Sequence, residues 1–246
     1  VRLAISSSGE PFVFAYGSRS VVTKLDANGD LLWCRRVWDS DPLSSFENSN
    51  TLIPTSDGGC AFLGGSFSSQ PDSSIVVGRL DAQGDVIWIN AYSNPQQGVE
   101  VNRSSITVDE DDNITLMSPA PWSTNTYTSL SLRLDPSGVV KHALLYDASG
   151  PDHLWDPKVH AVNSDQVYIT GKVGWGTCVI LTDSMGGVMN AFRTMDDTSG
   201  TQFRHMYNWL FDSRDGQLQL TGEFYEQNVV NPTYFTLVSI WRSDNG

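Results

Sequence analysis

The sequence predicts an all-β protein, a β-propeller of about five four-stranded blades, the last of them incomplete in this chain. The first observation is a hairpin phrase that recurs along the chain, clearest as VVTKLDANGDLLW at 21–33 and VVGRLDAQGDVIW at 76–88. The second is its spacing, since the turn returns about every 50 to 60 residues among strand and turn signals only. The turn begins at Asp26, Asp81, Asp135, Asp183 and Ser243.

A second phrase precedes the hairpin phrase in every repeat and supplies the first two strands of a blade, A and B. Each copy contains a short apolar strand, a tight turn such as Asp57-Gly58, and a second strand of alternating polarity. Gly, Asn and Asp tolerate positive φ, so these dipeptides favour tight hairpins. The five copies lie at 3–17, 50–65, 105–118, 158–171 and 208–222.

The hairpin phrase supplies the last two strands, C and D, joined by an Asp-x-x-Gly turn. We expect the Asp to cap the turn amides and the Gly to take the left-handed position of a type I turn with a bulge. Trp33 and Trp88, which end this phrase, are predicted to pack against the next blade. The repeats form one domain over 1–246, which we expect to belong to a longer polypeptide. Its blades lie at about 1–38, 49–93, 104–147, 156–196 and 207–246.

These repeats resemble a known group of proteins. The phrase TSDGGCAFLGG at 55–65 and the phrase KLDANGDLLW at 24–33 are similar to the propeller repeats of large secreted or surface-anchored bacterial proteins. They are also similar to related modules in phage structural proteins. The resemblance implies the fold and an extracellular, cell-surface or virion-surface location. It carries over no catalytic residue.

Composition excludes several classes of function. The net charge of −13 and the pI of about 4.5 argue against binding to nucleic acid or to anionic membrane surfaces. No stretch approaches the roughly 18 apolar residues of a membrane span, so no membrane insertion is expected. Cys34, Cys60 and Cys178 lie on apolar strand patterns and are expected as free core cysteines, although one bridge, Cys34–Cys60 or Cys60–Cys178, stays open.

No metal, cofactor or catalytic residue is predicted. The residues of the turn at 26–30 partly match a calcium-binding loop, but the full pattern is absent and turn chemistry explains every copy. The acidic run at 109–112 is expected to be a solvated turn tip. Neither a nucleophile elbow nor a metal-spaced pair of His residues accompanies Asp152, His153 or His205.

The connections between strands define two faces, and the functional residues are predicted on one of them. The A–B and C–D turns form one end of the blades, the turn face, and are all short. The B–C and D–A connections form the opposite end, the loop face, and are predicted to be long at 39–48, 69–74, 94–103, 119–129, 148–155, 173–177, 197–206 and 226–234. Binding residues concentrate on variable loops carried by a rigid scaffold. The candidate ligand- or partner-binding residues are Trp122, Tyr127, Asp152, His153, Trp155, Trp175, Phe203 and His205.

The aromatic, acidic and amide groups of the loop face suit sugar rings or a protein partner. An alternative is that the aromatic residues fold back and only cap the ends of the blades. We therefore expect a non-enzymatic recognition or adhesion module that binds a surface glycan or a protein partner. Two other functions stay open, namely a structural component of a virion or tail-fibre-like assembly with other chains, and an enzyme that acts on a polysaccharide.

Overall fold

In the computed structural model, every regular element of the described residues is a β-strand. No helix in this part of the chain is long and apolar enough to cross a lipid bilayer. The described residues are 1–15, 19–39, 45–46, 51–67, 74–93, 104–123, 126–147, 154–173, 176–193, 203–212, 217–226 and 234–242.

The first two sheets are antiparallel meanders. The first contains β1 (Arg2–Ile5), β2 (Pro11–Ala15), β3 (Arg19–Leu25) and β4 (Leu31–Asp39). The second contains the short β5 (Ser45–Phe46), then β6 (Thr51–Pro54), β7 (Cys60–Phe67), β8 (Ser74–Leu80) and β9 (Val86–Ser93). Both β5 and β6 pair with β7, so the second blade has a two-residue addition to the four-strand pattern.

The next three sheets repeat the same order. The third contains β10 (Ser105–Val108), β11 (Ile114–Ser123), β12 (Thr126–Leu134) and β13 (Val140–Asp147). The fourth contains β14 (Leu154–Ala161), β15 (Gln166–Val173), β16 (Gly176–Asp183) and β17 (Val188–Arg193). The fifth contains β18 (Phe203–Asp212), β19 (Gln217–Glu226) and β20 (Tyr234–Arg242), and has no fourth strand among the described residues.

Neighbouring sheets pack face to face through apolar side chains. Successive residues of a strand point to opposite faces of the sheet, and an inner blade buries both faces. Leu116 and Met117 of β11 show this, because they belong to the clusters on the two sides of the third sheet. Three such clusters lie between the first four sheets, and the first of these interfaces includes the rings of Phe14 and Phe62, whose centroids lie 5.6 Å apart.

The protein is a β-propeller, as the sequence predicts. Successive four-stranded meanders pack side by side, with the first strands β1, β6, β10 and β14 of neighbouring blades in contact. The hairpin phrase forms the third and fourth strands of the first four blades, and the phrase before it forms the first and second. The ends of these strands place the tight turns on one face and the other connections on the opposite face.

Candidate functional site

Four Asp-capped turns of the same geometry build the turn face. Asp26 Oδ1 accepts hydrogen bonds from the backbone N of Asn28 at 2.8 Å and of Asp30 at 2.9 Å. The Gly three residues after each Asp has a φ between 79° and 91°. The same cap forms at Asp81, Asp135 and Asp183. The predicted turn chemistry is confirmed at these four positions, while Ser243 lies outside the described residues.

A basic residue near the end of the third strand joins the first blade to the second on the turn face. Lys24 Nζ donates to the Gly58 carbonyl of the second blade at 3.0 Å. The same ammonium pairs with Glu10 of its own blade at 2.9 Å. Lys24 is buried, so these two acceptors replace the water that its charge has lost.

Arg79 occupies the equivalent position of the second blade and makes more contacts. Its Nη2 pairs with Asp57 of its own blade at 3.0 Å and with Asp112 of the third blade at 2.8 Å. Its Nη1 donates to the Pro136 carbonyl of the third blade at 2.9 Å. One guanidinium therefore joins three turns from two blades.

The acidic run at 109–112 is a solvated turn tip, as the sequence predicts, only at its exposed middle residues, Glu110 and Asp111. Asp109 and Asp112 are both buried. Arg133 of the same blade donates to Asp109, and Arg79 of the preceding blade donates to Asp112. The prediction was wrong for these two residues because a run of like charges gives no sign of the cations that the fold brings from other strands. Among the described residues, no group of three or more His, Cys, Asp or Glu side chains is placed to hold a metal ion.

Trp33 and Trp88 pack between blades, as predicted. Trp33 Nε1 donates to the Ala82 carbonyl of the second blade at 2.9 Å. Its ring covers Gly84, where an added Cβ would lie 2.7 Å from the indole Cδ2. The equivalent contacts of Trp88 are with the Pro136 carbonyl and with Gly138.

The third blade has His142 where the first two have Trp. Both ring nitrogens are buried and have no hydrogen-bond partner among the described residues. Burial, followed by the charge of Arg133, lowers the pKa of His142, while the backbone at Ser184 and the charge of Asp183 offset only part of this lowering. The turn of the fourth blade is held instead by Tyr146, whose hydroxyl donates to the Gly186 carbonyl at 2.8 Å.

The three cysteines are free, and one of them departs from the prediction of core positions. Cys60 is fully buried, and burial raises the pKa of its thiol to about 12. Cys178 is partly buried. Cys34 is exposed, because β4 is the outer strand of its blade. Its Sγ accepts a hydrogen bond from Thr23 Oγ1 at 3.3 Å.

Two of the predicted long loops on the loop face are instead strand hairpins. β11 and β12 extend until Ser123 pairs with Thr126, so most of 119–129 is paired strand. β15 and β16 likewise extend until Val173 pairs with Gly176. The B–C connections of these two blades are therefore largely paired strand in the described residues.

The prolines of β11 explain why the sequence was misleading there. Pro119 pairs with Ser129 and Pro121 with Tyr127, within a regular ladder to β12. The pairing of β10 with β11 reaches only as far as Met117. Beyond that point β11 has an edge on one side, where a residue without an N–H donor is tolerated.

The predicted site residues divide into two groups. Asp152, His153 and Trp175 lie outside the described residues. The other five have described backbone positions, namely Trp122 in β11, Tyr127 in β12, Trp155 in β14, and Phe203 and His205 in β18.

Strand register brings Trp122 and Tyr127 to the same tip of the third blade. Trp122 lies at the irregularity between two cross-strand pairs, Pro121 with Tyr127 and Ser123 with Thr126. Its position is therefore next to that of Tyr127 across the hairpin. A bulge at a strand end commonly re-aims a side chain next to a functional site.

Two hydrogen bonds fix the position of Trp155 against the third blade. Ser129 Oγ donates to the Leu154 carbonyl at 3.4 Å, and Ser105 Oγ donates to the Pro157 carbonyl at 2.9 Å. Trp155 lies between these two anchored residues of β14. Ser129, two residues from Tyr127 along β12, therefore contacts the residue that precedes Trp155 on the neighbouring blade.

Phe203 and His205 are not joined to this group by the described contacts. Both lie in β18 of the fifth sheet. That sheet contacts the fourth one through β18 and β16. From the predicted set, the structure thus brings together the positions of Trp122 and Tyr127, and it places Trp155 on the adjoining blade.

Sequence reasoning missed a group of buried hydroxyls at the loop-face end of the third blade. Ser104 Oγ donates to Ser118 Oγ at 2.9 Å, and Ser118 Oγ donates to the Pro119 carbonyl at 3.1 Å. Ser105 and Ser129, which reach the fourth blade, are buried as well. The sequence gives little signal for this group, because the position of Ser129 is occupied by Ile75 in the second blade but by Ser20 in the first.

No protein-family model and no curated protein matches this sequence. Among solved structures, the polysaccharide lyase Uly1 is similar over 98% of this chain and 57% of its own, with 14% identity and a TM-score of 0.60. The β-propeller domain of the Trilobed protease from Pyrococcus furiosus is similar over 99% and 82%, with 11% identity and a TM-score of 0.53. The subtype N10 neuraminidase-like protein of A/little yellow-shouldered bat/Guatemala is similar over 95% and 75%, with 11% identity and a TM-score of 0.51. The chain thus spans little more than half the length of Uly1, and at these identities the likeness shows the fold.

Proposed function

We propose that this propeller binds a carbohydrate at the loop-face end of its third and fourth blades. The observation that supports the proposal is the pair of hydrogen bonds from Ser129 and Ser105 to β14, which ties the strand of Trp155 to the blade that carries Trp122 and Tyr127. Three of the predicted aromatic residues thus belong to two adjoining sheets. Aromatic side chains provide a large contact area with few rotatable bonds, and such residues dominate binding sites.

The chemical character of the surroundings supports a sugar as the ligand. Hydroxyl and carbonyl groups at this end, such as those of Ser104 and Pro119, are held in a hydrogen-bonded chain. Sugars have both apolar ring faces and many hydroxyls, and sites for such ligands combine aromatic walls with a few placed polar groups. The polysaccharide in the name of Uly1 supports the same class of ligand for a propeller of this shape.

The charge of the chain favours a neutral sugar polymer. With a net charge of −13, the protein repels polyanions at low ionic strength. We therefore expect neutral polysaccharides to bind more tightly than acidic ones, and the difference to shrink as salt is added.

Polysaccharide cleavage is a second candidate function, favoured by the likeness to Uly1 over nearly the whole of this chain. It would use the same end of the molecule. Binding remains the better-supported function because serine hydroxyls and backbone carbonyls can hydrogen-bond a sugar but do not exchange protons near neutral pH without an activating base.

The test is titration calorimetry of the chain with a panel of neutral and acidic polysaccharides. We expect the Trp122→Ala/Trp155→Ala variant to lose affinity by at least about tenfold, or roughly 1.4 kcal/mol. The matched control is Asn28→Ala/Gln83→Ala, which alters two exposed turn-face residues and is expected to bind like the parent chain. Circular dichroism of each variant checks that the fold is intact.

Three outcomes would change the conclusion. Unchanged affinity in the double Trp variant would contradict the proposed site. Loss of affinity in the control alone would move the site to the turn face. Release of shorter sugar products during the titration would favour the polysaccharide-acting enzyme over the binding module.

A further inference from the structure

The first blade has a sheet surface that lacks the covering found on the next three blades. We call the side of a blade that packs on the preceding blade its incoming surface. Leu52, Ile106 and Val159 occupy the same position on the first strands of the second, third and fourth blades, and are 6%, 3% and 7% exposed. Leu3 occupies this position in the first blade and is 64% exposed. An exposed Leu at a position that is buried in three repeats indicates a missing neighbour.

The C–D turn of the first blade shows the same lack of a neighbour. A Cβ added at Gly84 or Gly138 would lie 2.7 Å from a Trp ring of the preceding blade. A Cβ added at Gly29, the equivalent Gly of the first blade, would have no atom within 4 Å. The turn at Gly29 has the same geometry as the turns at Gly84 and Gly138. It differs from them in that no aromatic residue packs on its Gly.

The A–B turn of the first blade is the third position that lacks a contact from a preceding blade. The Gly58 carbonyl accepts a hydrogen bond from Lys24 of the preceding blade, and a Cβ at Gly58 would lie 3.9 Å from that ammonium. A Cβ at Gly9, the equivalent residue of the first blade, would have no atom within 4 Å. The first strand and both turns of the first blade therefore lack the same neighbour.

We propose that the incoming surface of the first blade binds a further blade of the same repeat, carried by a polypeptide segment other than residues 1–246. This partner sheet presents a basic residue near the end of its third strand and an aromatic residue on its fourth strand. The three interfaces already present in the molecule carry this inference, because the open surface continues their pattern.

The proposed partner makes three contacts that copy those interfaces. Its aromatic N–H donates to the Ala27 carbonyl while the ring covers Gly29, as Trp33 does at Ala82. Its basic residue donates to the Gly9 carbonyl, as Lys24 does at Gly58. Its apolar residues cover Leu3, which removes that side chain from water.

The last sheet of this chain, or of a second copy, does not offer these groups. Its third strand, β20, has Trp241 at the position that Lys24, Arg79 and Arg133 occupy in the first three blades. Among the described residues it also has no fourth strand. The corresponding groups of the first three blades are already bound to their own neighbours.

The test is the full chain extended before Val1 by a second copy of residues 49–103, a blade that carries Arg79 and Trp88. Ser104 follows this segment in the natural sequence and aligns with Val1, so the natural connection is kept. Amide hydrogen exchange at Leu3, Ala4 and Ile5 is measured in the parent chain and in the fusion. We expect the added blade to slow exchange at these amides by about tenfold or more.

Two variants of the fusion test the chemistry. Arg79→Leu/Trp88→Ala in the added copy alone is expected to abolish the slowing. Leu3→Asp is expected to leave the melting temperature of the parent chain unchanged, since Leu3 is exposed there, and to abolish the slowing in the fusion. Unslowed exchange in the fusion, or equal slowing with the variant copy, overturns the proposal. The proposal would also be overturned if the parent chain formed concentration-dependent dimers and Leu3→Asp dissociated them. In that case a second copy of the chain would be what covers the incoming surface.

Discussion

At the scale of single residues, burial decides which ion pairs stabilise this protein. Arg79 and Asp112 are nearly inaccessible to solvent and lie in neighbouring blades. Arg35 and Asp85 also join neighbouring blades, at 2.6 Å, but both side chains are largely exposed. An exposed pair is screened by water, whereas a buried charge that loses its partner has no solvent to replace it.

We expect Arg79→Met to lower the free energy of unfolding by about 3–5 kcal/mol, because it leaves the buried Asp112 carboxylate unpaired. Arg35→Met serves as the matched control and is expected to cost about 1 kcal/mol or less. Urea unfolding of both variants measures the difference. Equal losses in the two variants would show that the Arg79 network is not the main polar connection between these blades.

At the scale of elements, one Gly in the C–D hairpin both closes the turn and leaves room for a side chain of the preceding blade. Gly84 has a φ of 79°, which closes the turn, and its missing side chain makes room for Trp33 of the preceding blade. Gly29 has a φ of 91° and nothing above it. Both residues therefore need the positive φ of Gly, but only Gly84 also needs the space that a missing side chain leaves for the indole.

Gly29→Ala is expected to cost only the strain of a left-handed Ala, about 1 kcal/mol. Gly84→Ala is expected to cost about 2 kcal/mol more, since the new methyl group displaces the Trp33 ring from its place. Thermal and urea unfolding measure both variants. If the two variants were equally stable, the contact of the indole with the turn would contribute nothing to blade packing.

At the scale of the whole molecule, carboxyl groups in the turns make the free energy of unfolding depend on pH. The backbone N–H of Asp30 is the main cause of the lowered pKa of Asp26, and the Ser137 hydroxyl is the main cause of the lowered pKa of Asp135. Burial tends to raise the pKa of Asp57, but hydrogen bonds from Thr55 and Gly59 outweigh it and lower the pKa. A carboxyl with a lowered folded pKa stabilises the fold above its unfolded pKa, and that contribution is lost as the pH falls through the folded pKa.

The free energy of unfolding is therefore expected to be nearly constant above about pH 5 and to fall steeply below about pH 4. Urea unfolding at a series of pH values measures this profile. Asp135→Asn keeps an acceptor oxygen for the turn amides and removes one titrating group, so its profile is expected to be shallower. A profile as steep as that of the parent chain would exclude Asp135 as a source of the acid dependence.

The sequence by itself determined the fold and the local chemistry of its repeats. The Asp and Gly positions of the C–D turn follow from short-range backbone geometry, which any hairpin with this spacing must satisfy. The Trp residues between blades were predictable because they recur at a fixed distance from the turn. The hairpin at 119–129 could not be predicted from the sequence. Its prolines are acceptable only on a sheet edge, and that edge is open because β10 is short.

Only the tertiary structure decided the contacts between repeats. The run at 109–112 reads as solvated in the sequence, yet the fold buries Asp109 and Asp112 against arginines that are distant along the chain. It also decided that the strand of Trp155 is tied to the third blade, through hydrogen bonds from Ser129 and Ser105. Local propensity acts over a few residues, whereas burial, charge pairing and a binding site depend on which strands the fold brings together.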